Sequence, residues 1–180
     1  MGQALEPEPA ALVIGVLFGR DDKLEESLSL LSRLGRPVRR LEGEVPFDYT
    51  DYYSKEMGPG LRRGLLMVEE PVPREHLVWW KERTNEIERQ LSDQQLRRQV
   101  NLDPGLLSLE NLVLATTKGR DHRVYLGRGI YAEVTLRFHR GQFQPLEWTY
   151  PDWKHPQMLQ MLDQVRQWLY KELRQKRREG

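Results

Sequence analysis

The sequence predicts an α+β fold in a single domain, with a ferredoxin-like (split βαβ) first half, a β-hairpin-rich second half and a C-terminal helix. Three observations carry this. As far as Leu102 the apolar pattern runs strand, helix, strand, strand, helix, strand. Beyond Gly105 the apolar period falls to two, with glycine-containing connections. From Pro156 a helical period returns and continues towards the C-terminus.

Residues 1–10, acidic and interrupted by Pro7 and Pro9, are expected to be a flexible leader to a domain spanning 11–170. The apolar run 12–18 suits a strand buried on both faces. Asp21 and Asp22 suit a helix start, Leu24, Leu28, Leu31 and Leu34 share one helical face, and Gly35 supplies the stop. Residues 37–45 read as a second strand, 46–60 as a loop rich in Tyr and Asp, and 61–72 as a third strand. Leu77, Trp80, Thr84, Ile87 and Leu91 define an amphipathic helix over 73–92. Residues 96–102 read as a fourth strand, closed by a turn at Asp103-Pro104-Gly105. Four further strands follow at 112–117, 123–126, 130–138 and 142–148. The helix from Pro156 carries Met158, Leu162, Val165 and Leu169 on one face, and 171–180 read as a basic, frayed tail.

With 28 basic and 27 acidic residues the net charge is +1, so no global field steers the chain to a polyanion. The absence of Cys excludes disulfides, thiolate metal sites and a Cys nucleophile. The longest apolar run, 10–18, is too short to span a bilayer, and Glu6 and Glu8 precede it where a signal peptide is basic. A cytoplasmic protein with no membrane partner is expected. No GxxxxGKS/T, GxGxxG, HExxH or GxSxG motif occurs, which disfavours P-loop and Rossmann cofactors, zincin chemistry and α/β-hydrolase catalysis.

Polar residues that suit a site cluster in four places. Lys118, His122 and Arg123 lie on one connection and suit an anionic group, or form an ordinary charged hairpin. Along 130–138, Ile130, Ala132, Val134, Leu136 and Phe138 are assigned to the core, which places Glu133 on the opposite face between Tyr131 and Thr135. Lys81, Asn85 and Glu88 share one helical face beside the apolar stripe, either towards a cleft or as surface ion pairs. Asp103, beside Asn101 in the expected turn, is a hard oxygen donor. Asp48, Asp51 and Glu56 would complete a Mg²⁺-type set with it if the four converged. Tyr52, in the run FDYTDYY, suits recognition or packs its loop down.

The runs FDYTDYYSKEMG (47–58), WKERTNEIE (80–88), RQVNLDPGLL (98–107), VLATTKGRDHRVYLGRGIYAEVTL (113–136) and WTYPD (148–152) together resemble the uncharacterised prokaryotic domain-of-unknown-function family 4416. The resemblance implies a family identity without an activity. Its motifs add Tyr125 to the candidates, among which Arg98 already stands by its place in the polar stretch 97–137, and point to a shared site rather than a core. The leading expectation is a polar cleft, ligand-binding or catalytic, for an anionic small molecule or nucleotide. In it Glu133, His122 and Asp103 would carry chemistry. Asp48, Asp51, Tyr52, Glu56, Lys81, Asn85, Glu88, Arg98, Asn101, Lys118, Arg123 and Tyr125 would hold the ligand. An RNA-binding or RNA-processing accessory is the alternative, resting on Arg36, Arg39, Arg40, Arg62, Arg63, Arg97, Arg98 and the basic run 174–178. A protein-interaction module built on the Tyr-rich loop is the third reading.

Overall fold

The computed structural model describes residues 2–179, so Met1 of the leader and Gly180 of the tail lie outside the described residues. The strands are β1 (Ala11–Phe18), β2 (Val38–Arg40), β3 (Val45–Pro46), β4 (Arg62–Val68), β5 (Val100–Leu107), β6 (Asn111–Thr116), β7 (Val124–Gly127), β8 (Ile130–His139) and β9 (Gln142–Pro145). The helices are α1 (Asp21–Ser32), α2 (Asp51–Met57), α3 (Leu77–Gln90) and α4 (Pro156–Glu179). All strand pairings are antiparallel and join one sheet in the order β2-β4-β1-β5-β6-β8-β7. Both sheet edges are split. β2 and β3 pair successive parts of β4, and β7 and β9 pair successive parts of β8. The single strand expected over 37–45 is therefore two short pieces.

β1 is buried throughout, as its unbroken apolar run requires of a strand covered on both faces. Leu12, Ile14, Val16 and Phe18 face α1 and α3, where they meet Leu24, Leu31, Trp80 and Ile87. Ala11 and Val13 face α4 and pack with Met158, Met161, Leu162, Val165, Leu169 and Leu173. Six such side chains, at about 1.5–3 kcal/mol each, hold α4 to the sheet with on the order of 10 kcal/mol. That grip includes Leu173, so the basic segment expected to fray continues α4 as far as Glu179. The leader is also tied at its end, because Ala10 exchanges backbone hydrogen bonds with Val72 and Arg74 donates to the Glu8 carbonyl. No helix among the described residues is long and apolar enough to cross a membrane.

Three local expectations are corrected. The loop over 46–60 contains α2, started by Thr50, whose hydroxyl accepts from the Tyr52 N–H at 3.2 Å, and stopped by Gly58 at φ 86°.

Asp103-Pro104-Gly105 is the interior of β5, where the long ladder with β1 overrides local turn preference. Proline is tolerated there for a visible reason. Leu102 directs its N–H and C=O away from β1, to Glu88 and Lys81. Pro104, two residues on, presents its missing donor to that same side, where β6 pairs β5 only at Gly105, Leu106 and Leu107.

In β8 the pairing steps from Val113↔Val134 to Leu112↔Leu136, so Thr135 is an extra residue. This bulge splits the alternating set assigned to the core. Ala132 and Val134 lie opposite Ala115 and Val113, Val134 is 39% exposed, and Leu136 has crossed to the α4 side. Glu133, opposite Leu114, becomes a 3% exposed residue on the α4 side of the sheet.

Candidate functional site

Where β6 leaves β5 the sheet forks, and a cleft of about 790 Å³ opens between the strands. That volume lies within the usual range for small-molecule sites, about 300–1,000 Å³. The fork admits side chains from both faces of the sheet. Arg63, Asn101, Asp103 and Glu133 enter from the α4 side, whereas Lys81, Asn85 and Glu88 reach in from α3 on the other. α2 with its preceding loop closes one wall, and the turn over 150–153 closes another.

Lys81 and Glu88 occupy the place of the absent strand. Lys81 Nζ donates to the Leu102 carbonyl at 2.9 Å, and Glu88 Oε1 accepts from the Leu102 N–H at 2.6 Å. Those are the two bonds that a residue of β6 would have made had the ladder continued.

A chain of charged hydrogen bonds lines the floor. Arg63, 3% exposed, donates from Nε to Asp152 Oδ2 at 2.8 Å and from Nη1 to Asp103 Oδ2 at 2.9 Å. Asn101 donates to the same Asp103 oxygen at 2.6 Å and accepts from Arg98 Nη1 at 2.8 Å. Arg98 also donates to Glu56 Oε2 at 3.1 Å, and its Nη1 stands 3.7 Å from Glu88 Oε2. Burial opposes the charge on Asp103, but the Arg63 and Lys81 cations outweigh it, and its carboxyl lies below the ordinary range. Glu88 goes the other way. Its burial outweighs the Lys81 cation and the Leu102 N–H, which lifts it above the ordinary range. Burial, helped by the Asp103 carboxylate, also lifts the Tyr53 phenol above the usual tyrosine range.

Gly15 on β1 makes this floor possible. A Cβ there would lie 2.6 Å from the Trp153 ring, so only hydrogen lets Trp153 seat against the strand. Asp152, next in the chain, is thereby delivered to Arg63. Arg63 also stands 5.6 Å from the Phe47 ring centroid and 5.9 Å from that of Trp153.

A second cluster stands at the β6–β8 side. Glu133 Oε2 accepts from Arg123 Nε at 2.7 Å and lies 3.1 Å from His122 Nε2. His122 stacks on Trp148 with ring centroids 4.9 Å apart and planes 14° from parallel. The Trp148 and Thr149 side chains donate to the carbonyls of Val134 and Thr135, which fastens the bulge. Arg123 Nη1 donates to the Lys118 carbonyl at 2.7 Å. Arg123 and Glu133 thus hold one another, and His122 braces them from outside the cleft.

Of the residues singled out in the sequence, Tyr52, Glu56, Lys81, Asn85, Glu88, Arg98, Asn101, Asp103, Lys118, Arg123 and Glu133 line the cleft. Asp48 and Asp51 are exposed and do not line it. Tyr125 lies 59% exposed on β7, its hydroxyl accepting from the Gly129 N–H. The Mg²⁺-type set does not assemble. Arg63 and Asn101 occupy Asp103 Oδ2, and no group of three or more His, Cys, Asp or Glu suited to a metal occurs among the described residues.

Outside the run 174–178, the arginines behind the RNA alternative are each paired within the chain. Arg36 meets Glu70, Arg39 meets Glu69, Arg40 meets Glu44, Arg62 meets Asp21 and Glu44, and Arg97 meets Asp93. Arg63 and Arg98 belong to the cleft floor.

Arg63, Asp152, Trp153 and Gly15 were not singled out as cleft residues. One signal existed for Arg63. In LRRGLLM it falls in step with Leu61, Leu65 and Met67, which puts a cation on a buried face.

Six cations (Arg63, Lys81, Arg89, Arg98, Lys118, Arg123) and five carboxylates (Glu56, Glu88, Asp103, Glu133, Asp152) line the cleft, which leaves an excess of one positive charge. Arg89 and Lys118 are the lining cations without an ion pair among the described residues, and Lys118 stands exposed at the mouth. Its Nζ lies 4.7 Å from the Tyr52 ring centroid and forms no ion pair with a carboxylate among the described residues. No curated protein and no solved structure matches the chain. A family model matches residues 8–169, nearly the whole chain, and the protein belongs to that family, described as a domain of unknown function (DUF4416).

Proposed function

We propose that the protein binds a small organic anion, of a size up to that of a nucleotide, in the forked cleft. The observation that carries this reading is Lys118, a cation at the mouth of a cleft whose floor is otherwise paired. An incoming anion need not break an existing ion pair to reach it. Asn85, whose amide makes no hydrogen bond among the described residues, supplies a polar contact on the opposite wall. Tyr52 and Tyr150 offer ring faces beside it.

Isothermal titration and thermal-shift measurements with pyrophosphate, citrate and nucleoside 5′-monophosphates test this. A probe present at about 100 times its Kd stabilises the folded state by about 2.7 kcal/mol. Lys118→Met removes one charged hydrogen bond and weakens binding about tenfold or more. Equal affinity in the variant, or no response of the wild type to any probe, refutes the reading.

A further inference from the structure

The geometry points to an acid–base activity in the same cleft: Glu88 takes a proton from the carbon next to a carbonyl group of the bound anion, and Lys81 and Asn85 hold the oxyanion that results. This rests on the binding reading above and adds a reaction to it.

The case starts from the two oxygens of Glu88. Oε1 is fixed by the Leu102 N–H at 2.6 Å. Oε2 forms no hydrogen bond among the described residues, its nearest cation being Arg98 Nη1 at 3.7 Å. The residue lines the cleft with its side chain 13% exposed. The carboxyl is therefore held rigidly by one oxygen and leaves the other available. Two other lining carboxylates are more fully occupied. Glu56 meets Arg98 with both oxygens, and Glu133 meets Arg123 with one and Thr135 with the other.

The electrophilic partner stands on the same rail of α3. Lys81 and Glu88 grip the C=O and N–H of one residue, Leu102, which brings ammonium and carboxyl to the same residue of β5 although they lie seven positions apart in the chain. Lys81 Nζ gives one hydrogen to Leu102 and faces Asp103 Oδ1 at 3.8 Å, and an ammonium has three to give. Asn85, between them on the helix, has a free amide. No Cys exists and His122 lies outside the lining, so a Cys–His or Ser–His pair is not available among the lining residues. A base beside oxyanion donors, without such a pair, suits deprotonation next to a carbonyl. Burial of Glu88 adds to its strength as a base, whereas Asp103 is held as a fixed anion by Arg63 and Lys81.

In the step the C–H bond breaks, its proton passes to Glu88 Oε2, and its electron pair moves into the carbonyl to give an enolate oxygen facing Lys81 and Asn85. Return of the proton from Oε2 restores the ketone, and in D2O it returns as a deuteron.

The test is deuterium uptake in D2O, followed by proton NMR, with 2-oxobutyrate as the carboxylate probe and dihydroxyacetone phosphate as the phosphate probe. Binding of each is measured in parallel by thermal shift. Wild-type protein is expected to accelerate exchange of one probe over the protein-free rate, and which probe responds tells the two anions apart. Glu88→Gln keeps the acceptor for Leu102, and it is expected to retain fold and binding while losing about 100-fold or more of the exchange rate. The wild-type rate should rise with pH through a midpoint above the ordinary carboxylate range, which a purely structural Glu88 would not produce. Binding without exchange, or equal exchange in Glu88→Gln, overturns the inference and leaves the binding reading standing. No binding of either probe, or of those named above, removes both.

Discussion

Replacing Arg63 by Met tests whether the cleft floor is held by charge. Arg63 and Asp152 are each 3% exposed at the side chain, and their hydrogen bond is 2.8 Å long. Loss of the guanidinium leaves Asp152 buried without a counter-ion, and breaking such a pair costs about 3–5 kcal/mol. Asp103 suffers less, because it is 24% exposed and keeps Asn101 at 2.6 Å and Lys81 at 3.8 Å. Taken together the loss at pH 7 should be about 4 kcal/mol, measured by urea unfolding. Its pH dependence has a definite sign. The Asp103 carboxyl is depressed in the folded protein, so its stabilisation is present above the unfolded carboxylate pKa and fades as pH falls through the folded value. Without Arg63 that depression shrinks and Asp103 takes up a proton more readily. The difference between variant and wild type should therefore be widest at pH 7 and narrower near pH 4. A loss below about 1 kcal/mol at pH 7, or one that is equal at both pH values, would refute the reasoning.

Two further outcomes follow from the same floor. Gly15→Ala places a Cβ where the Trp153 ring now sits, and overpacking of this kind costs about 1–3 kcal/mol; adding Trp153→Phe should relieve part of it, and additive losses would count against the contact. Alkaline titration of phenolate absorbance should proceed without Tyr53, because burial and the nearby Asp103 carboxylate hold its proton. Tyr53→Phe then leaves the amplitude through about pH 11 unchanged, and a drop of one tyrosine's worth contradicts the burial.

The legible parts of the site were those set by short-range geometry. Lys81, Asn85 and Glu88 share a face because helical spacing is local, and the structure aims that face into the cleft. Long-range pairing hid the rest. Asp103-Pro104-Gly105 has every local mark of a turn, yet eight residues of β5 pair with β1, and that ladder decides the conformation. The single extra residue at Thr135 reversed the facing of half of β8, which no period-two reading can foresee without the partner strand. Arg63 and Asp152 meet across 89 positions, and only the parity of Arg63 in its strand hinted at burial. The basic connection was visible as a charge cluster. That two of its members, His122 and Arg123, turn to Glu133 rather than outward is a contact across 10 and 11 positions that charge patterning does not show.

The fork has a consequence for how the cleft's size can change. Its depth is set by where a ladder stops rather than by the length of an inserted loop. Residues 100–104 of β5 lack a strand on one side, a run of roughly 17 Å at about 3.3 Å per residue. Each rung added or removed beside Gly105 would move the floor by one residue's rise, and the chain's length and the surrounding elements would stay as they are. Pro104, which has no proton to offer the next rung, works as a stop. Variation among relatives at this one position would act on the capacity of the cleft in discrete steps, like a slider locked on a zip.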